Sequence, residues 1–168
     1  MQADNMGLLF WGTPGTGKTY AAACIANDLC DRGVNVRMTT LGTVLNKLPG
    51  LPPQEKLRYL QDLTGCDLLI LDDFGMERDT SYSNEQIFSL IDGRYLSGKP
   101  MIVTTNLNFR QFREETDMAA RRLYDRLLER CVPIVFDGKS QRRAAGKNLL
   151  RRYKEIAGAE EESEGICD

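Results

Sequence analysis

Residues 12–19 run Gly12-Thr13-Pro14-Gly15-Thr16-Gly17-Lys18-Thr19, which fits the spacing GxxxxGK(S/T). Glycines at these places let a loop turn its backbone N–H groups inward, toward an anion. The lysine ammonium is then placed to reach the β- and γ-phosphates of a nucleotide, and the threonine hydroxyl to ligate Mg²⁺. Tyr20 follows directly and is grouped with the loop as a binding residue. The context is the one such a loop needs. "GLLFW" before it reads as a buried strand, and "KTYAAACIANDLCDRG" after it as a helix closed by Gly33. The ligand implied is a nucleoside triphosphate with magnesium.

Binding is not cleavage, and a second motif bears on that. "LLILDDFG" puts Asp72 at the C-terminal end of a buried strand, where ligands gather in open α/β sheets. Asp72 suits a water-mediated contact to Mg²⁺, and Asp73 is placed to polarise the attacking water, with Glu77 the next acid in line. "IVTTN" brings Asn106 to the end of another strand, where its amide can hydrogen-bond the γ-phosphate or the lytic water.

These groups meet only if several strands end along one edge, and the rest of the chain supplies such strands. "VNVRMTTL", "CDLLILDDFG", "KPMIVTTN" and "VPIVFD" read as strands alternating with helical segments. "GTVLNKL" and "EKLRYLQDL" are short helices split by the breaker "PGLPP". "SNEQIFSLIDGRYLSG" is a helix with Ser83 as its N-cap, "DMAARRLYDRLLERC" another, and "SQRRAAGKNLLRRYKEIAG" a basic helix that closes the fold. Strands apolar on both faces and alternating with helices predict a five-stranded parallel sheet covered on both sides.

Composition sets the outer limits. The 168 residues are 42% hydrophobic and 27% charged, the profile of one globular domain able to bury a core without disulfides. The net charge of −2 hides an asymmetry: residues 158–168 hold five acids and no base, whereas residues 110–154 hold 13 bases against 6 acids. The expected division is a domain over residues 1–157 and an acidic, disordered tail over 158–168. Five cysteines, no CxxC pair and no histidine argue against a zinc site and for reduced thiols in the cytoplasm. "MQADN" does not open a signal peptide, and no apolar run approaches the ~18 residues of a membrane span.

The order of GTPGTGKT, LLILDDFG, "FSLIDGRYLSGKPMIVTTNL" and "RLYDRLLERC" resembles the AAA+ ATPase domain of DnaC-type bacterial helicase loaders, and is similar also to that of IstB-type transposition ATPases. The resemblance covers nearly all of the chain before the acidic tail. It implies a three-layer AAA+ core with little or no helical lid, ATP and ADP as ligands, and self-association. By position, Arg126 in "YDRLLER" matches the arginine finger that reaches a neighbouring subunit's ATP, and Arg142 in "GKSQRR" matches the second sensor arginine, with Arg143 the alternative. Many such ATPases carry Glu where this chain has Asp73, and the shorter acid implies slow turnover. The family's N-terminal region grips the replicative DNA helicase; this chain starts almost on its first strand and so reads as an excised ATPase domain.

The resemblance further implies contact with single-stranded DNA through the short helices before the Asp72 strand. Arg37, Lys47, Lys56 and Arg58 lie in or beside them, and Tyr59 could stack a base, although a solvated face and a core aromatic explain the same residues. Two functions stay open, a timer for opening a helicase ring on DNA and a transposition regulator that recruits a transposase. A small-molecule kinase is weaker, for lack of an acceptor site and a mobile lid.

Overall fold

The structure, a computed structural model, describes residues 5–75, 80–108, 110 and 118–157. Five strands form one sheet: β1 (Gly7–Gly12), β2 (Val36–Thr40), β3 (Leu68–Phe74), β4 (Met101–Thr105) and β5 (Cys131–Phe136). Between them run α1 (Lys18–Asp31), α2 (Leu41–Lys47), α3 (Pro53–Gly65), α4 (Ser81–Ser97) and α5 (Met118–Arg130), and α6 (Gln141–Ala157) follows β5. Every strand pairing is parallel, in the order β2-β3-β4-β1-β5. The expected five-stranded parallel sheet is therefore present. Because all strands run the same way, the loops after β1, β3 and β4 open on one edge.

The apolar run of β3 serves two cores because successive side chains point to opposite faces. Leu69 and Leu71 join Leu9 and Val103 under α2 to α5, against residues such as Val44, Leu63, Leu90 and Leu127. Leu68 and Ile70 point the other way, to Phe10, Ile102 and the small residues Ala22 and Ala26 of α1. Alanine at those two positions brings the α1 backbone close to the sheet. The layers are helix, sheet, helix.

The far edge of the sheet is tied down by one buried cation. Arg94 of α4 is fully buried and donates from Nη1 to the carbonyls of Thr64 (2.9 Å) and Cys66 (2.6 Å). From Nη2 it donates to those of Asp67 (2.9 Å) and Pro100 (2.5 Å), while its Nε has no partner among the described residues. The α3–β3 and α4–β4 connections are thus held by a single guanidinium. Burial pushes the Arg94 pKa down, with the Cys66 thiol and Asp67 pulling it back up.

Two local expectations change. Helix α4 begins at Ser81, and its N-cap is Thr80, whose Oγ1 accepts from the Ser83 N–H at 3.1 Å. Ser83 is the residue being capped, because the helix starts earlier than its apolar pattern. Helix α6 forms as expected but does not close the fold: Leu149, Leu150, Tyr153 and Ile156 are 57–86% exposed. At the β5 edge, Val132, Ile134 and Val135 are likewise exposed. Gly33 does close α1, at φ 80°, with the Val34 N–H returning to the Leu29 carbonyl at 3.0 Å. Residues 158–168 and Glu77 lie outside the described residues.

Candidate functional site

The loop between β1 and α1 has left-handed backbone at Gly15 (φ 83°) and Gly17 (φ 100°), which a side chain would strain. Gly17 is the N-cap of α1 and has no side chain to cap it, so the first N–H groups of the helix face outward for an anion. Gly15 meets a second constraint. A Cβ there would lie 2.3 Å from Ser140 Oγ, because the start of α6 comes down on the loop and the Gln141 N–H donates to the Gly15 carbonyl at 2.9 Å. Thr16 Oγ1 braces the loop from within, donating to the Thr13 carbonyl at 2.9 Å.

A cavity of about 650 Å³ opens beside this loop. Pro14, Gly15, Gly17, Lys18, Thr19 and Tyr20 line it, together with Asp73, Asn106 and Arg142. Residues from four separate parts of the sequence therefore converge as expected. Gly12 and Thr13 contribute through their carbonyls, which accept from Lys18 Nζ at 2.8 and 2.9 Å. The third acceptor of Lys18 is Asn106 Oδ1, at 2.8 Å. With its oxygen so engaged, the group Asn106 offers a ligand is its NH₂ donor. All three oxygens around Lys18 are neutral, so the buried ammonium keeps its charge for an incoming anion. Burial pushes the Lys18 pKa down, Asp73 pulls it up, Arg142 pushes it down and Asp72 pulls it up. The charge of Arg142 is therefore felt at the lysine, although its side chain is exposed.

Asp72 lies beneath the loop, 7% exposed, and its Oδ1 accepts from Thr19 Oγ1 at 2.9 Å. The same oxygen accepts from Thr104 Oγ1 at 2.6 Å, and Thr104 Oγ1 in turn accepts from the Asp73 N–H at 3.0 Å. The β3–β4 register explains this knot. Leu71 pairs with Val103 and Phe74 with Thr105, so Asp72 and Asp73 together oppose Thr104. The extra residue is a β-bulge, and Asp73 takes it up with φ 55°, the one positive φ among the described residues other than glycine. Thr19, on the cavity lining, and Asp72, bonded to it from behind, form an all-oxygen pair, the hard donor set that Mg²⁺ takes alongside phosphate oxygens.

Arg126 is elsewhere. It sits on α5 with Nη1 2.5 Å from Asp92 Oδ1 of α4, and its guanidinium lies over the Phe88 and Tyr95 rings at 4.7 and 5.6 Å. It does not line this cavity. Among the basic residues near α2 and α3, Arg37, Lys47 and Arg58 are exposed, and Lys47 Nζ stands 4.2 Å over the half-buried Tyr59 ring. The side chain of Arg143 lies outside the described ones.

Sequence reasoning passed over Thr104 and Gln141. The signal for Thr104 was present: a hydroxyl inside a strand whose five residues are all buried must find partners within the protein. Gln141 acts through its backbone, which no side-chain pattern reveals.

Comparison with known proteins gives this site its context. The replicative helicase loader DnaC of Escherichia coli is 32% identical over 146 residues, covering 83% of this chain and 58% of that protein. An ATP-binding protein carried in an insertion sequence of Mycobacterium tuberculosis is 30% identical over 138 residues, covering 80% of this chain and 55% of the relative. The chain thus spans little more than half the length of these relatives. The crystal structure of the DnaC helicase loader superposes with a TM-score of 0.68 at 28% identity, over 80% of each chain, so the fold is the AAA+ core. Residues 1–148 match the profile described as IstB-like ATP binding protein. With a phosphate loop, a paired-acid strand end and a strand-end asparagine converging on one cavity, the chain belongs to the family of IstB-like ATP binding proteins.

Proposed function

We propose that this chain is the ATPase module of a replicative-helicase loader, binding ATP with Mg²⁺ and hydrolysing it slowly to time assembly on single-stranded DNA. The observation that carries the reading is the cavity itself, with Lys18, Thr19, Asp73, Asn106 and Arg142 on its wall and Asp72 bonded to Thr19 behind it. The α1 N-terminus and Lys18 take the phosphates. Thr19 and Asp72 would hold Mg²⁺, which would offset the charge of the phosphates. Asp73 orients and polarises the attacking water, Asn106 donates its NH₂ to the γ-phosphate or that water, and Arg142 reaches the γ-phosphate from the start of α6. Arg126 belongs to the neighbouring subunit's site, and engaging it requires release from Asp92. The basic residues Arg37, Lys47, Lys56 and Arg58 contact DNA phosphates, and a replicative helicase is the partner whose loading the ATPase times.

Calorimetric titration of ATP and ADP into the parent and Lys18→Ala chains tests the first step. The parent is expected to bind at least about tenfold more tightly, since a charge-assisted contact contributes about 1.5–3 kcal/mol. Equal affinities overturn the assignment. A transposition role is the second reading, favoured by the insertion-sequence relative and by the description of the matching family. Capture by the full-length protein separates the two, because a helicase partner supports the first and a transposase the second.

A further inference from the structure

We propose that Thr104 is a positioning residue for hydrolysis, the clamp that sets both acids of β3 at once. The inference rests on the reading of Asp73 given above. In a regular strand, neighbouring side chains point to opposite faces, so two consecutive acids reach one site only where the strand departs from that regularity. Here they do. Asp72 is bonded to Thr19 of the cavity lining, and Asp73 lines the wall itself. The bulge at Asp73 makes this possible, and Thr104 is the residue opposite the bulge.

One hydroxyl holds the arrangement by using both of its capacities. Its hydrogen goes to Asp72 Oδ1 at 2.6 Å, and its oxygen accepts the Asp73 N–H at 3.0 Å. Thr104 is fully buried, so water cannot substitute for either contact. The Asp73 N–H would otherwise be a ladder donor in β3, and the left-handed backbone at Asp73 is an unfavourable state that needs outside support. A valine at 104 keeps the shape of threonine and removes both bonds. The bulge then loses its anchor, Asp73 leaves its place on the wall, and Asp72 keeps Thr19 alone.

The test is single-turnover hydrolysis with the chain in excess over ATP, for the parent, Thr104→Val, Thr104→Ser and Asp73→Asn. It is joined by ADP affinity without metal, a Mg²⁺ titration of turnover, and thermal melts. For Thr104→Val, we expect turnover to fall about tenfold or more and the Mg²⁺ requirement to rise, while metal-free ADP affinity stays within about twofold. Thr104→Ser, which restores the hydroxyl, should recover most of the rate. A purely structural threonine would lower the melting temperature and leave the rate and Mg²⁺ dependence unchanged below the melt; that result overturns the proposal. So does a serine chain as slow as the valine chain. If Thr104→Val does not fold, Thr104→Ala removes the same hydroxyl without a second methyl and is read the same way. Asp73→Asn separates the two readings. A parental rate there removes Asp73 as the water-polarising group, and with it the basis of this inference. A dead Asp73→Asn beside a Thr104→Val chain at parental rate leaves that role standing and removes only the clamp.

Discussion

Replacing Arg94 by alanine removes four hydrogen bonds at once, to the carbonyls of Thr64, Cys66, Asp67 and Pro100. Hydrogen bonds to a charged group contribute about 1.5–3 kcal/mol each, for a gross loss on the order of 6–12 kcal/mol. Much of that is offset, because the variant is relieved of the cost of burying a guanidinium whose Nε has no partner among the described residues. Water entering the space left behind satisfies some of the carbonyls. The net destabilisation should be about 3–5 kcal/mol, the range seen when one side of a buried charged interaction is deleted. Against a total of about 5–15 kcal/mol this is a large fraction, and Tm should fall by roughly 6–20 °C. Arg94→Lys should lie between, since an ammonium with three donors on a shorter reach cannot span four acceptors. Urea unfolding followed by far-UV circular dichroism gives the difference, with m as a check that the transition stays two-state. An Arg94→Ala loss below about 1 kcal/mol would refute the idea that this cation ties the connections before β3 and β4. The stake is functional too, because those strands carry Asp72, Asp73 and, just beyond, Asn106.

Other expectations follow from the site and its surroundings. Because burial lowers the Lys18 pKa below its ordinary 10.5, the empty site loses that proton at a lower pH than a free lysine does. A bound phosphate favours the charged form, so ATP binding should take up a proton in alkaline buffer and weaken as pH rises through the lowered pKa. Calorimetry in buffers of different ionisation heat measures this, and Lys18→Ala should abolish it. Thiol labelling of the native chain should modify exposed Cys24 and Cys30 and spare Cys66 and Cys131 until denaturant is added. Burial raises both buried thiols, Cys131 to about 12, so mass mapping at neutral pH should find them unmodified. Arg126→Ala should bind ATP like the parent yet lose turnover by a factor on the order of 10³. Mixing it with Lys18→Ala chains, across concentration and with single-stranded DNA present, should restore part of the rate; no rescue under any condition refutes its action in trans.

How far the sequence could be read depended on how local each determinant is. The phosphate loop was legible because strand, glycines and helix start are contiguous, and the residues it gives to the cavity run from Pro14 to Tyr20. The strands β1, β3, β4 and β5 were legible as short apolar runs between breakers, and β2, which carries Arg37 and two threonines, as an extended segment between two helical ones. Thr80 was missed as the cap of α4 because the apolar pattern begins later than the helix does. Arg94 gave no sign of burial, since its carbonyl partners lie up to 30 residues away. The same holds for Arg126, whose bond to Asp92 joins two helices that no periodicity relates. The bulge at Asp73 is a mismatch between two strands, so neither strand alone contains it.

The open edges of the sheet have a consequence for how this protein behaves when crowded. Among the described residues β2 and β5 end the sheet, and an edge strand offers unpaired backbone groups to any other chain. "CVPIVF" is the more hazardous of the two, an uncharged apolar segment with Val132, Ile134 and Val135 in the open. Its third residue is Pro133, which lacks an N–H and breaks the row before a sixth strand can register. On the opposite edge, Arg37 stands exposed in β2 and puts a charge where a docking strand would lie. Each edge therefore has its own guard against self-templated fibrils, and Arg37 has a reason to be basic that involves no DNA.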